Sequence, residues 1–169
     1  RAESTDARSA GSSASASGES AAMEHLDRDI VTFVYDHVRA GNDDRRLRRD
    51  PKLERVRRGA YVPRGLDAAL TADQRYDLRI HAVLGTRRSP VVVSHHSAAR
   101  LWGMPMIEGW PWHVHLTVSP SSPRRSKNGV IIHRSRLGPT DVVELDGVLL
   151  TSPARTLIDL ACSCSFVNA

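Results

Sequence analysis

The sequence predicts an α+β fold in two parts, on three observations. Residues 45–64 contain nine Lys or Arg against two acidic residues, in a chain whose net charge is +5. Within this segment a short helical stretch precedes two extended runs, and a basic helix followed by a basic hairpin is the layout of a winged helix. Beyond residue 70, segments of helical spacing alternate with segments of strand character. We therefore expect a winged-helix-like module over residues 23–64 and a mixed α/β domain over residues 65–169.

The N-terminal part is predicted from local signals. Residues 1–22 are rich in Ser, Ala and Gly without an apolar pattern, which predicts a disordered tail. Apolar residues recur at helical spacing over residues 24–39 and predict one long helix, so that the first helix of a winged helix would be missing or fused. Asn42 or Asp43 can cap a second helix through Arg49. A hairpin is then expected over residues 53–62, turning where Gly59 supplies a positive φ.

The second part is predicted to alternate between helices and strands. Thr71 and Gln74 have capping-box spacing, and Ser94 is placed to cap a later helix. An Asp-Gly pair between two apolar runs is a strong signal for a two-residue hairpin turn. The predicted elements are helices over residues 71–85, 94–103 and 151–160, strands over residues 91–93, 113–118 and 130–133, and a hairpin over residues 141–150 that turns at Asp146 and Gly147.

The basic segment predicts a DNA-binding surface. A charge excess confined to one short stretch suits a polyanion, because each Lys or Arg next to a phosphate releases condensed counterions. Arg45, Arg48 and Arg49 share one helix face by their spacing, and we expect Leu47 to face the core. The sequence leaves open whether these arginines contact bases or phosphates. The alternative to DNA binding is that the arginines only form a solvated helix face. The predicted DNA-binding residues are Arg45, Arg48, Arg49, Lys52, Arg55, Arg57 and Arg58.

Three histidines of the predicted strands are the basis of a metal hypothesis. His113 and His115 share one face of a strand, and His133 can lie on a neighbouring strand. A zinc site needs three or four ligands with supporting contacts, whereas histidines of half-buried strands more often only satisfy hydrogen bonds. We therefore expect no metal and no other cofactor, and whether the three histidines meet stays open. A metal-dependent enzyme built on them is the third of three functional hypotheses.

The segment SHHS at residues 94–97 contains the residue types of a nucleophile and a base. Ser94 is accounted for as a helix cap, and no Gly-x-Ser-x-Gly pattern precedes it. His95 and His96 are consecutive, so they should diverge on a helix. We therefore expect no catalytic residue and no enzymatic activity within these residues.

Composition argues against a membrane protein and for a reducing compartment. No apolar run approaches the ~20 residues that a membrane span needs. Cys162 and Cys164 are too close in sequence to meet disulfide geometry easily. We therefore expect a cytoplasmic protein with no membrane partner.

Three segments, considered together, resemble a known family. They are RVRRGAYVP at residues 55–63, SHHSAARLWGMP at residues 94–105 and TSPARTLIDLA at residues 151–161, joined by HVHLTV and GVIIHRS. In order and spacing they resemble the AbiEi-type antitoxin family of type IV toxin–antitoxin systems, in its actinobacterial branch, over residues 24–166.

The resemblance implies a bacterial repressor of its own operon, with a winged-helix DNA-binding module and an antitoxin-type α+β domain. Its partners would be double-stranded DNA and a cognate toxin. The residues that match the basic helix and wing of the family are Arg45, Arg46, Arg48, Arg49, Arg57 and Arg58.

Members of that branch often carry a further C-terminal domain resembling very-short-patch-repair nucleases. Nothing in the sequence looks like it, and we expect the domain over residues 65–169 to be truncated about where it would begin. The alternative function is therefore the DNA-binding, positioning half of a nuclease whose catalytic domain lies downstream.

Overall fold

A computed structural model describes the protein from residue 28 to residue 163. These residues form a mixed α+β structure with six α-helices, two short 3-10 helices and two β-sheets. The predicted tail over residues 1–22, the first residues of the predicted N-terminal helix and Cys164 lie outside the described residues. Among the described helices, none is long and apolar enough to cross a lipid bilayer.

The elements follow one another in a regular order. The helices are α1 (Val34–Arg39), α2 (Asp44–Arg49), α3 (Leu66–Ala69), α4 (Ala72–Gly85), α5 (His95–Leu101) and α6 (Pro153–Ser163). The strands are β1 (Thr32–Phe33), β2 (Leu53–Arg57), β3 (Ala60–Pro63), β4 (Val92–Val93), β5 (Val114–Val118), β6 (Val130–Arg134), β7 (Val142–Leu145) and β8 (Val148–Thr151).

The N-terminal sheet has three strands in the order β1–β3–β2, and β1 pairs antiparallel with β3. The prediction of one long helix over residues 24–39 is therefore wrong within the described residues. A 3-10 turn at Arg28–Ile30 precedes β1, and α1 begins only at Val34. Pairing with β3 overrides the helical spacing, because an extended Phe33 also packs against the small core of this sheet.

Helix α2 and the β2–β3 hairpin form where local signals predict them. The Oδ1 atom of Asp43 accepts a hydrogen bond from the backbone N–H of Arg45 at 2.9 Å, which caps α2. Leu47 is the buried residue of α2, and its burial leaves the flanking arginines in solvent. The hairpin turns at Arg58 and Gly59, and the φ of Gly59 is +92°, a conformation that favours glycine.

The second sheet has five strands in the order β6–β5–β4–β8–β7. Strands β5 and β6 are parallel, as are β4 and β8, while the β4–β5 and β7–β8 pairs are antiparallel. The β7–β8 hairpin turns at Asp146 and Gly147 with φ of +49° and +77°. Positive φ at both positions is the requirement of a type I′ turn, so the predicted Asp-Gly hairpin is confirmed.

Helix α4 contributes side chains to both hydrophobic cores. Thr71 and Gln74 form the predicted capping box at its start. Tyr76, Ile80 and Val83 pack into the larger core, beneath the five-stranded sheet, while Leu78 and Ala82 pack into the smaller N-terminal one.

Candidate functional site

The predicted DNA-binding residues are mostly exposed. Arg45, Arg48 and Arg49 project from α2 into solvent, as do Lys52, Arg55 and Arg58 from the hairpin, whereas Arg57 is half-buried. Arg48 forms an ion pair with Asp44 at 2.9 Å, one helical turn earlier. The other six have no ion-pair partner among residues 28–163, so most of the positive charge of the segment is uncompensated there.

Two arginines outside the basic segment extend this charge. Burial, and next the charge of Arg87, lower the pKa of Arg57. Burial, and next the charge of Arg124, lower the pKa of Arg87. The charge of Arg87 therefore acts on Arg57 and that of Arg124 acts on Arg87. The Nε of Arg57 is buried without a hydrogen-bond partner among the described residues. A bound anion would reduce the repulsion between these guanidinium groups. Arg87 and Arg124 were not among the predicted residues, and the only sequence signal for them is that each precedes a second arginine.

A cluster of four histidines lies elsewhere in the fold, and we call it the histidine cluster: His95 and His96 on α5, His115 on β5 and His133 on β6. In the parallel pairing of β5 with β6, His115 lies beside Ile131 and Thr117 beside His133. Residues two apart on a strand share a face, so His115 and His133 lie on the same face of the sheet. The predicted partner His113 precedes β5, is exposed and is not part of the cluster.

The rings of the histidine cluster are in close contact. Nδ1 of His115 and Nε2 of His133 are 3.0 Å apart, which makes them hydrogen-bond partners. The rings of His95 and His133 are stacked, with centroids 3.6 Å apart. The ring of His96 lies 5.1 Å from that of His115. One nitrogen each from His95, His115 and His133 lies within 4.8 Å of the other two. The open question of whether strand histidines meet is thus answered for His115 and His133.

Residues 94–97 differ from their prediction in two ways. Ser94 occupies the N-cap position of α5, but its side chain makes no capping hydrogen bond. Its hydroxyl instead accepts a hydrogen bond from Thr117 at 2.8 Å and lies 3.0 Å from Nδ1 of His95. His95 has a φ of +52°, so it does not follow regular helical geometry. His95 and His96 therefore both approach His115 instead of diverging.

Asp159 of α6 closes one side of the cluster. Its Oδ1 accepts a hydrogen bond from Arg155 at 2.8 Å, and Arg155 is also held by Asp141 and Ser135. Its Oδ2 lies 3.8 Å from Nδ1 of His95 and has no hydrogen-bond partner among the described residues. No pattern in the sequence indicates Asp159, because only the packing of α6 against α5 brings it next to the histidine cluster.

Ser94, His95 and Asp159 do not form a Ser-His-Asp relay. In a relay, the hydroxyl and the carboxylate address opposite nitrogens of the imidazole. Here both Ser94 and Asp159 face Nδ1 of His95. Nucleophilic catalysis by Ser94 thus finds no support in this geometry.

Burial keeps these imidazoles neutral at neutral pH. Burial, and next the charge of His133, lower the pKa of His95 to about 4, although Asp159 acts in the opposite direction. Burial, and next the charge of His96, lower the pKa of His115 to about 3. Burial also lowers the pKa of His96 and that of His133. A neutral imidazole presents a nitrogen lone pair, which is the form that binds metal ions.

Comparison of the chain with models of known protein families found no match, and a search among curated proteins found none either.

Proposed function

We propose that the protein is a cytoplasmic, DNA-binding transcriptional regulator of antitoxin type, which represses its own operon and counters a partner toxin. The observation that carries the proposal is the arrangement of α1, α2 and the β2–β3 hairpin. Residues 40–43 join α1 to α2, and Gly41 in this turn has a φ of +81°. Two helices joined by such a short, glycine-containing turn are typical of a helix-turn-helix, whose second helix enters the major groove.

The strands support a winged-helix module. The hairpin directly follows α2, and its second strand pairs with β1, which precedes α1. In the proposal the hairpin is the wing and α2 is the recognition helix, and the exposed arginines of both elements support this assignment. Double-stranded DNA is the polyanion that this pair of elements fits, with α2 in the groove and the hairpin on the backbone.

The role as an antitoxin rests on the resemblance of three segments to the AbiEi-type family. The proposal assigns the contact with the toxin to the domain over residues 65–169, which contains two of the three segments. The direct test of the antitoxin role is a rescue experiment, in which expression of the protein should restore growth to cells that express the neighbouring gene of its operon. Failure to restore growth would contradict the antitoxin role and leave the proposed DNA binding unaffected.

A salt titration of DNA binding tests the central claim. Fluorescence anisotropy would measure the affinity of the protein for a labelled duplex from its own upstream region at several salt concentrations. Log affinity falls with log salt concentration, and each phosphate contact that is lost reduces the magnitude of this slope by about 1. The variant Arg45→Ala/Arg48→Ala/Arg49→Ala should therefore bind more weakly, with the magnitude of the slope reduced by up to about 3.

A second triple variant separates the effect of where the exchanged residues lie from the effect of the lost net charge. Arg125, Lys127 and Arg136 are exposed and lie outside the proposed module, so their joint exchange for alanine removes the same charge. This control should retain most of the affinity. Equal affinity of the α2 variant and the wild type at low salt, or equal losses in both triple variants, would contradict recognition through α2.

A further inference from the structure

We propose that His95, His115 and His133 bind one divalent transition-metal ion of the zinc class. Their three ligand nitrogens lie within 4.8 Å of one another, and the nitrogens of His115 and His133 are 3.0 Å apart. Zinc binds ring nitrogens at about 2.0–2.1 Å, so two ligands of a tetrahedral site lie about 3.4 Å apart. Closing the three side chains on an ion therefore needs shifts of only about 1 Å.

The polar neighbours of His95 both face Nδ1, which leaves the other ring nitrogen, Nε2, for the ion. Nδ1 of His95 faces the Ser94 hydroxyl at 3.0 Å and the Asp159 carboxylate at 3.8 Å. The Asp159 carboxylate can only accept and so favours a proton on Nδ1, which the Ser94 hydroxyl can also accept; this tautomer has its lone pair on Nε2. A ligating histidine usually donates its other N–H to an oxygen in this way, which fixes its tautomer and orientation.

Asp159 supplies an independent indication, because one of its buried oxygens faces the proposed site without a hydrogen bond. Its side chain is only 9% exposed, and Oδ2 is buried without a hydrogen-bond partner among the described residues. Arg155 forms an ion pair through the other oxygen, Oδ1, so the carboxylate has one cationic partner but Oδ2 has no hydrogen bond among the described residues. A buried carboxylate oxygen without a hydrogen bond is unfavourable, and a further cation close to it would stabilise it. An ion on three neutral imidazoles would place a double positive charge next to it.

The donor set also defines the class of ion. Three imidazole nitrogens with a carboxylate nearby suit Zn²⁺, Co²⁺ and Ni²⁺, whereas Ca²⁺ and Mg²⁺ prefer oxygen ligands. The facing nitrogens, Nδ1 of His115 and Nε2 of His133, would supply the lone pairs for the ion. The ring that now carries the proton between these two atoms would therefore carry it on its other nitrogen instead. Coordination therefore changes a tautomer without requiring net loss of a proton from these two rings.

Calorimetric titration with Zn²⁺ tests the proposal on the full chain, freed of any affinity tag and previously stripped of metal with a chelator. We expect one ion per chain in the wild type. His133→Ala should bind at least 100-fold more weakly, and His113→Ala, which removes an exposed histidine at the end of the same sheet, should bind like the wild type. Asp159→Asn should keep one site with an affinity reduced 10- to 100-fold, the usual effect of losing an orienting group.

The titration has outcomes that would overturn the proposal. Absence of binding by the wild type at micromolar Zn²⁺, wild-type affinity in His133→Ala, or an equal loss in His113→Ala would each do so. Mg²⁺ should produce no binding heat, and competition by excess Mg²⁺ would argue for a non-specific site.

A second measurement needs no variant and remains decisive if His133→Ala does not fold. The ring ¹⁵N chemical shifts of His115 and His133 report which nitrogen carries the proton. Addition of one equivalent of Zn²⁺ should shift Nδ1 of His115 and Nε2 of His133 and leave the rings of His37 and His113 unchanged. Unchanged shifts of His115 and His133 would contradict coordination by these residues.

Discussion

Asp77 and Asp73 both contact the guanidinium group of Arg100, and exchanging each for asparagine separates the effect of burial from that of contact. Asp77 accepts two hydrogen bonds from Arg100, at 2.9 and 2.7 Å, and Asp73 accepts one at 2.9 Å. The two acids lie one turn apart on α4. The side chain of Asp77 is 2% exposed, whereas that of Asp73 is 54% exposed. We predict a large loss of stability for Asp77→Asn and a small one for Asp73→Asn.

The magnitudes follow from burial. Removal of one partner of a buried ion pair costs about 3–5 kcal/mol, because the other charge stays buried and unpaired. The Arg100 side chain is 9% exposed and cannot turn into solvent without breaking its packing. Asp73 still provides a counter-charge, so we expect the lower limit, about 3 kcal/mol, for Asp77→Asn. Exposed pairs contribute about 0.2–1 kcal/mol, which sets the expected loss for Asp73→Asn.

Urea unfolding followed by circular dichroism measures both losses as shifts in midpoint at constant slope. The double variant Asp77→Leu/Arg100→Met is the matched control, and it should be more stable than Asp77→Asn because it removes both buried charges together. Equal losses in the two single variants, or a loss below about 1 kcal/mol for Asp77→Asn, would mean that Arg100 is solvated and would contradict its burial as an ion-paired charge.

Three further predictions concern local features. On acidification of the metal-free protein from about pH 6.5 to pH 4, the free energy of unfolding should fall by up to about 1.4 kcal/mol per pH unit for each of His95 and His115. In the folded protein the pKa is about 4 for His95 and about 3 for His115, so as the pH falls the unfolded chain binds protons before the folded protein does, which favours unfolding. Urea midpoints that do not change between pH 6.5 and pH 4 would contradict this prediction. Gly85→Ala should lower the thermal unfolding midpoint, although alanine has the better helix propensity, because the added Cβ would overlap the ring of Phe33. Overpacking of this kind typically costs about 1–3 kcal/mol. A raised midpoint would show that the Phe33 ring moves aside freely. Thr71→Ala should cost about 1 kcal/mol in urea unfolding by removing the cap of α4, whereas Thr71→Ser should stay near the wild type, and equal losses in both would argue against the cap.

The parts of the fold that the sequence predicts well are those determined by neighbouring residues. The cap of α2 by Asp43, the capping box at Thr71 and the Asp146 turn each depend on hydrogen bonds or φ values within four residues. Such features need no knowledge of the rest of the chain. Partners distant in sequence decide the features that were missed, such as the extended conformation of Phe33, which pairs with Ala60.

The same distinction applies to the candidate sites. The basic segment is visible in the sequence because its residues are contiguous, and most of them remain exposed in the fold. The histidine cluster joins residues from three elements, and its membership depends on the parallel β5–β6 register and on the left-handed φ of His95. Neither leaves a signal in the spacing of residues, so the sequence pattern indicates His113 instead of His95 and does not indicate Asp159.

The cost of the histidine cluster to the fold argues for a function by itself. A core that served stability alone would contain apolar residues here, since buried polar groups are unfavourable unless they are paired. Ser94 is paired, but Oδ2 of Asp159 and Nδ1 of His96 are buried without a hydrogen-bond partner among the described residues. The positive φ of His95 adds a backbone cost of order 1–3 kcal/mol. Natural proteins break the rules of packing mainly at functional positions. These unfavourable features coincide at one point, and none of the residues involved belongs to the basic segment. We therefore expect that removal of the histidine cluster leaves the proposed DNA binding intact.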